Sequence, residues 1–167
     1  VNKLLVGKVD DNFNWLPLWV HLQDTAGVMK LLLENWIADA TVESCGMKFE
    51  NFYAIAEFVA ATHDIGKATS YFQAIICKKV PILYDNIVSS GLIVCENMLH
   101  RGKTPHSYAG QWILQSDTVG INLPESVANV IGAHHGATCP GKTLNGVDDL
   151  LVVYPSNFYG EEEDSSI

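Results

Sequence analysis

Three kinds of feature are scarce or missing in this chain. The four cysteines form no CxxC pair, which favours a reduced intracellular protein over a disulfide framework. No apolar run approaches the length of a membrane span, and no basic-then-apolar leader opens the sequence. We therefore expect a cytoplasmic protein with no membrane partner. Ten lysines and arginines stand against nineteen acidic residues, a net charge of −9. This charge argues against a free-standing nucleic-acid binder with a broad basic surface.

The length of 167 residues is that of one compact domain, and residues 1–167 are assigned to a single domain. The chain begins at Val1 rather than at a methionine, which suggests a piece of a longer protein. Part of the negative charge belongs to residues 161–164, an acidic stretch of the kind that is usually solvated. A protein that acts on nucleic acid beside a more basic partner domain would tolerate the remaining imbalance.

Hydrophobic spacing predicts a mostly helical chain. Apolar residues recur at helical intervals in residues 18–36, 52–60, 69–76 and 86–99. Pro17 is a favourable residue for the start of the first of these helices. Gly27 lies within that helix and is interpreted as a point where another helix approaches closely.

Two later helices have clearer starts. Thr104-Pro105 is the pattern of an N-cap residue followed by proline in the first helical position, which places His106 in the first turn. Pro124 opens another helix, which is predicted to run to His134-His135. Further on, residues 150–154 fit either a short strand or a truncated helix.

Five of the six histidines fall where a dinuclear metal site would need them. His63-Asp64 ends the second predicted helix, and a carboxylate has two oxygens with which it can bridge two ions. The other candidate ligands lie far apart along the chain: His21, His106, His134 and His135. Sites rich in imidazole suit iron, nickel, cobalt, zinc or manganese better than calcium or magnesium. Two metals on one bridging carboxylate suit hydrolysis at phosphorus.

The tandem His134-His135 can serve one ion only where its helix ends, since successive helical residues point about 100° apart. Gly136 is predicted to supply that end; a pair of surface histidines is the alternative. At His106 the helix dipole disfavours a charged imidazolium, a cost that a neutral, metal-bound ring avoids. The sixth histidine, His100, is interpreted as an exposed loop residue.

Two charged residues near these histidines have candidate roles. Lys67 follows His63-Asp64 and Gly66, which places a cation where it could meet a phosphate. Asp24 lies three residues after His21 on the same helix face. It would either orient the imidazole or remain an ordinary surface acid.

Residues 136–143 match the phosphate-loop pattern G-x-x-x-x-G-K-[ST] letter for letter. That loop works only between a buried strand and the start of a helix whose N-terminus holds the phosphates. Here a predicted helix precedes the match, and Leu144-Asn145-Gly146 after it is typical of a turn. We therefore expect no nucleotide binding by Lys142 or Thr143.

The ordered set of candidate residues resembles the HD superfamily of metal-dependent phosphohydrolases. More narrowly, it is similar to the HD nuclease domain of the CRISPR-associated nuclease-helicase of type I systems. The phrases that carry the resemblance are LPLWVH ending at His21, HDIGKA from His63 with a following FQ, HSYAG from His106, and AHHG ending at Gly136. They span about residues 15–142, and residues 143–167 are interpreted as a truncated end.

The resemblance implies an all-α fold, an HD helical bundle with a metal site at its centre. It implies two divalent transition-metal ions, such as manganese, nickel, iron or cobalt. The implied substrate is single-stranded DNA, exposed by an RNA-guided surveillance complex and fed to the nuclease by a helicase domain in cis or in trans.

Residue roles are implied by the same resemblance. His63 and Asp64 would bind one ion, with His21 close by or ligating. Asp64 would bridge to a second ion held by three further histidines: His106, His134 and His135. Asp64 and Lys67 are the candidate catalytic residues, and Lys67 would contact the scissile phosphate or stabilise the charge that develops there.

One departure from the family pattern affects the first ion. The family usually completes that metal shell with an aspartate well downstream of the tandem histidines. This chain has Asp148, Asp149 and Asp164 there. We assign none of the three as the aspartate that completes the shell. The first ion is therefore expected to be weakly held or absent.

Two other functions stay open at the level of sequence. One is a nucleotide phosphohydrolase of the same superfamily, which would need a closed pocket, a lid and base-recognition residues. The other is a nuclease-dead docking module that binds a partner surface. An open groove would favour a polymer substrate, and the sequence does not show which of these surfaces is present.

Overall fold

Helices dominate the chain, as predicted. The computed structural model describes residues 5–37, 39–94, 104–116, 120–137 and 157–158. Within them the helices are α1 (Leu18–Asn35), α2 (Asp39–Ser44), α3 (Phe49–Thr62), α4 (Ser70–Lys79), α5 (Tyr84–Val88), α6 (His106–Gln115) and α7 (Glu125–Gly132). Two 3₁₀ helices cover Ile65–Ala68 and Pro81–Leu83, and two strands, β1 (Val6–Val9) and β2 (Trp15–Pro17), form one small antiparallel sheet.

The all-α class is confirmed, and the β1–β2 hairpin is an addition that the hydrophobic spacing did not predict. Asp10 organises its turn, because the Asp10 carboxylate accepts hydrogen bonds from the backbone N–H groups of Asn12 and Asn14 at 2.9 and 2.8 Å. The hairpin packs closely on the start of α1. A Cβ added at Gly7 would lie only 3.2 Å from the Cβ of His21, so the glycine lets β1 pass beside this histidine.

The bundle is built around a few helix pairs. α1 packs along α3, α6 packs along α7, and the 3₁₀ helix Ile65–Ala68 packs against α6. One buried apolar cluster joins β1, α4 and the segment after it: Val6, Ile76, Cys77, Val80, Leu83 and Ile87. These contacts bring the C-terminal end of α3 and the N-terminal end of α6 together.

Several predicted helix boundaries were wrong. The helix expected over 86–99 does not run through the first part of that range: α5 ends at Val88 and is followed by a turn in which Gly91 has a φ of +86°. Residues 95–99 lie outside the described residues. α7 ends at Gly132, so the tandem histidines lie after the helix rather than in it. Pro105 is the N-cap of α6 rather than its first residue. His106 nevertheless lies in the first turn, as predicted.

Some expectations fall outside the described residues. They concern the following positions: His100, Lys142, Thr143, residues 150–154, Asp148, Asp149 and Asp164. Among the residues that are described, none belongs to a helix with the length and apolar character needed to cross a bilayer.

The interpretation of Gly27 as a point of close helix approach was wrong. A Cβ added there would meet no atom within 4 Å, so the residue is an unsupported glycine inside α1. Glycine in a helix interior costs about 1 kcal/mol relative to alanine, since its backbone loses more freedom on folding.

We therefore expect Gly27→Ala to raise the free energy of unfolding by about 1 kcal/mol. Urea denaturation followed by circular dichroism would measure the change. A loss of stability would contradict the expectation, because it would show that a side chain at residue 27 meets something after all.

Candidate metal centre

Five histidines converge on the buried carboxylate of Asp64, which is 4% exposed. The two residues of the His63-Asp64 pair lie between α3 and the following 3₁₀ helix, where the chain changes direction. His21 comes from the first turns of α1. His106 begins α6, and His134 and His135 lie in the turn after α7. Six residues from four separate parts of the chain thus form one cluster.

The two oxygens of Asp64 face different histidines. Oδ2 lies 2.7 Å from Nε2 of His21 and 3.1 Å from Nε2 of His63. Oδ1 lies 3.0 Å from Nε2 of His106 and 3.2 Å from Nε2 of His134. The carboxylate is therefore shared between two groups of imidazoles, one on each oxygen.

His135 belongs to the second of these groups. Its Nε2 lies 2.9 Å from Nε2 of His106, and its ring centroid is 4.2 Å from that of His134. This proximity follows from the early end of α7, since the two side chains would diverge on a continuing helix. The turn closes on Gly136, whose N–H donates to the Ala133 carbonyl and whose φ is +87°. The sequence-based argument for the tandem pair therefore agrees with the local geometry.

Backbone contacts fix the orientation of two rings. Nδ1 of His63 lies 2.9 Å from the Ala60 carbonyl oxygen, and Nδ1 of His134 lies 2.7 Å from that of Ile131. A carbonyl only accepts, so Nδ1 carries the proton in each ring and donates it. In the neutral rings, Nε2 then presents a lone pair towards Asp64. Metal-binding histidines are commonly held in this way.

Facing lone pairs on nitrogen and carboxylate oxygen repel unless a cation lies between them or a nitrogen is protonated. Asp64 Oδ1 and His134 Nε2 are buried and make no hydrogen bond with any described residue. An ion that holds each ligand at about 2.0–2.2 Å keeps neighbouring ligand atoms roughly 2.8–3.6 Å apart. The contacts at Oδ1 and between His106 and His135, at 2.9–3.2 Å, lie within this range.

The donor set therefore fits metal ions in two groups. His21, His63 and Asp64 form one, and His106, His134 and His135 form the other; the ligand atoms within each lie within 4.8 Å of one another. Imidazole nitrogens predominate in both groups, which suits divalent transition metals.

Electrostatics keep Asp64 ionised. Its burial opposes the charge, but contacts with His106, His134, His63 and Lys67 outweigh burial and hold the pKa of Asp64 far below its usual range. The carboxylate is thus always available as a ligand or as the partner of a cation.

Lys67 lies inside the cluster rather than at its edge. Its Nζ is 2.7 Å from Asp64 Oδ2, and its side chain is 13% exposed. The ammonium also lies 5.4 Å from the centroid of the Phe72 ring, within the distance of a cation–π contact. The structure therefore places this cation directly on the central carboxylate.

Close backbone contacts hold the contributing elements together, and sequence reasoning missed them. A Cβ added at Gly66 would overlap the carbonyl oxygen of His106 and lie 2.5 Å from the Gly110 nitrogen. A Cβ at Gly132 would overlap the side chain of Gln111. The glycines within the HDIGKA and HSYAG phrases were a signal for such contacts, but only the fold shows which elements meet.

Gln73 is a second feature that the sequence did not reveal. Its fully buried amide donates to the carbonyls of Val6 and Lys67, at 2.9 and 2.7 Å, and accepts from the Val6 N–H at 3.2 Å. It thereby joins β1 to the end of the 3₁₀ helix that follows Asp64. A glutamine within an apolar helix is a weak signal for this role.

Asp24 is an ordinary surface acid rather than a partner of His21. Its side chain is exposed, and the His21 ring makes its hydrogen bond to Asp64. Thr25 instead contacts the same turn, with its hydroxyl donating to the His21 carbonyl at 2.8 Å.

Comparison with known proteins gives two matches. Residues 7–152 match the family described as "Cas3, HD domain". The chain is also 31% identical over 179 aligned residues to the CRISPR-associated nuclease/helicase Cas3 of Streptococcus thermophilus. That alignment covers 92% of this chain and 17% of the relative, so the chain spans about a sixth of that protein's length. No solved structure shows a significant match.

Proposed function

The chain belongs to the family of Cas3 HD domains, and from this premise we propose that it cuts single-stranded DNA by metal-dependent hydrolysis of phosphodiester bonds. One observation carries the proposal. The buried Asp64 carboxylate presents one oxygen to His21 and His63 and the other to His106 and His134. Such an arrangement suits a bridging ligand between two ions.

Each residue of the cluster has a role in this proposal. Asp64 bridges the two sites, and His21 and His63 complete the first of them. The second site is completed by three histidines: His106, His134 and His135. When bound, the two ions would supply Lewis acidity that activates water and neutralises charge on the phosphate. Manganese, nickel, iron and cobalt are the candidates.

Lys67 is the proposed cationic contact for the scissile phosphate. A lysine ammonium has three donors, so it can keep its contact with Asp64 while it donates to a phosphate oxygen. Its position beside the bridging carboxylate brings that charge to the place where hydrolysis would occur. The ion pair also prevents the long side chain from moving freely, which reduces the entropy lost when substrate binds.

The accessibility of the cluster supports a polymer substrate. The side chains of four histidines are 16–20% exposed, and His135 is exposed. The four are His21, His63, His106 and His134. A strand of DNA can reach a site on the surface of the bundle, whereas a small nucleotide would need an enclosing pocket for affinity.

The partners in the proposal follow from the family and from charge. The Streptococcus thermophilus relative is a nuclease/helicase, so we propose that a helicase domain, in cis or in trans, feeds single-stranded DNA to this domain. An RNA-guided surveillance complex would expose that strand. The net charge of −9 fits a nuclease that relies on its partners for most of the affinity for nucleic acid. Residues 1–167 would act as one HD nuclease domain.

Cleavage of covalently closed circular single-stranded DNA tests the proposal. The purified chain, stripped of metal, would be supplied with manganese, nickel, iron or cobalt and given circular DNA, linear single strands, duplex DNA and nucleotides. Conversion of circles to linear and shorter products supports an endonuclease, and degradation of linear strands alone supports an exonuclease. Hydrolysis of nucleotides alone would replace the proposal with a nucleotide phosphohydrolase. Metal binding without hydrolysis of any substrate would favour a docking module.

Metal loading is expected to fall as the pH drops below about 6.5, because protons and metals compete for imidazole nitrogens. The contact with Asp64 raises the pKa of His63 despite burial. Burial and the neighbouring His134 and His106 lower the pKa of His135. A raised pKa means that the proton is held up to a higher pH, so the group containing His63 loses its ion first.

Elemental analysis after equilibration between pH 8 and pH 5 would measure this order. With Mn²⁺ kept in excess during equilibration, we expect two ions per chain at pH 8, then one and then none as the pH falls. Unchanged metal content down to pH 5 would contradict histidine ligation.

A further inference from the structure

The two sides of the Asp64 carboxylate differ in one respect. Oδ1 is faced by imidazole nitrogens and accepts no hydrogen bond from the described residues. Oδ2 is faced by His21, by His63 and also by the ammonium of Lys67, at 2.7 Å. Among the described residues, a fixed positive charge therefore lies on the Oδ2 side of the carboxylate alone.

This asymmetry affects metal binding. A carboxylate oxygen has two lone pairs, and three groups already converge on Oδ2. An ion held by His21, His63 and Oδ2 must share that oxygen with the ammonium and lie close to a like charge. An ion held at Oδ1 replaces repulsion between facing lone pairs with attraction.

Lys67 is also held where it is. Its backbone N–H donates to the Asp64 carbonyl at 2.9 Å, and its own carbonyl accepts from the buried Gln73 amide. Its ammonium lies 5.4 Å from the centroid of the Phe72 ring. The ammonium is thus a built part of the Oδ2 side rather than a surface charge that happens to lie near it.

We propose that Lys67 sets the order of metal loading by competing with the ion at Asp64 Oδ2. The group of His106, His134 and His135, together with Oδ1, fills first and tightly. The group of His21, His63 and Oδ2 fills second and weakly. This inference rests on the proposed two-metal function, and it attributes weak binding of the ion at Oδ2 to Lys67, a residue inside the cluster.

Calorimetric titration of the metal-free chain with Mn²⁺, without DNA, tests this order. Lys67→Met keeps the length of the side chain and removes its charge. We expect the weaker ion to bind at least about tenfold more tightly in this variant. The reason is that residue 67 no longer makes a charged hydrogen bond to Asp64 Oδ2 that the ion must displace. The tighter ion should change by less than about threefold. Elemental analysis should then give two retained ions where the unaltered chain retains one.

Lys79→Met is the matched control. It removes the same charge from an exposed side chain that lies 3.8 Å from Asp11, so both affinities should stay unchanged. Lys67→Arg keeps the positive charge and should leave the ion at His21, His63 and Oδ2 weakly bound. If Lys67→Met loses helical circular dichroism, Lys67→Gln takes its place with the same expectation.

Three outcomes would overturn the inference: equal tightening of both ions, no change in either, or weaker binding of the ion at Oδ2 after Lys67→Met. None of these outcomes contradicts the proposed two-metal nuclease function if the unaltered chain still binds ions and cuts DNA. Failure of the proposed function is separate, because it would appear as an unaltered chain that binds no Mn²⁺, or that binds Mn²⁺ and cuts no single-stranded DNA.

Discussion

Replacing Asp64 with alanine is expected to reduce nuclease activity by at least about a thousandfold, as the loss of a shared catalytic group does in other enzymes. Both proposed metal sites use this carboxylate, one through each oxygen. Neighbouring imidazoles cannot substitute, because they are neutral ligands and cannot bridge. Cleavage of circular single-stranded DNA at saturating Mn²⁺, with product quantified over time, would measure the loss.

The fold should survive this change. The histidines around Asp64 are partly exposed, so their nitrogens can be hydrated once the carboxylate is gone. Asp24→Ala is the matched control, since it removes an exposed acid close to His21 in sequence and should leave activity unchanged. Full activity in an Asp64→Ala preparation with normal helical circular dichroism would remove the dinuclear mechanism.

The members of the cluster could be predicted from sequence because their chemistry is local. A helix end after Thr62, a proline before His106 and a glycine after the tandem histidines each indicate that a side chain emerges from a rigid element. The sequence could not show which oxygen of Asp64 each ring would face. That division depends on how α1, α6 and α7 pack around the end of α3, which is tertiary information.

Lys67 illustrates the same limit. Its spacing from His63-Asp64 predicted a cation close to a phosphate. Its ion pair with Asp64 depends on the 3₁₀ conformation of Ile65–Ala68, which brings residues three apart onto one face. The helical pattern around it did not distinguish that turn from an ordinary helix end.

The fold was predicted in class but not in its short elements. Long apolar periodicity identified α1 and α3, whereas β1 and β2 have four and three residues and are too short for a periodic pattern to indicate. The helix over 86–99 was predicted from its content of Ile, Val, Leu and Met, and apolar content alone does not show where a helix ends. The turn at Gly91, with a φ of +86°, explains why α5 does not continue.

Close backbone packing was the feature that the sequence predicted least well. At Gly66 it leads us to expect a large effect of substitution on stability and metal binding. Gly66 lies between Asp64 and Lys67, and its Cα faces the backbone of α6 at His106 and Gly110. Any side chain there must push α6 away from the 3₁₀ helix. Because α6 carries His106, such a shift separates this ligand from Asp64 Oδ1.

We therefore expect Gly66→Ala to lower the free energy of unfolding by about 3 kcal/mol, since backbone atoms cannot yield as a flexible side chain would. Metal affinity should fall by about ten- to a hundredfold, as when ligands lose their supporting contacts. Urea denaturation and Mn²⁺ titration would measure the two effects. Gly27→Ala is the control, because it makes the same change where nothing lies within 4 Å and should stabilise the chain. A Gly66→Ala variant with normal stability and normal metal binding would show that the contact between the 3₁₀ helix and α6 does not position His106.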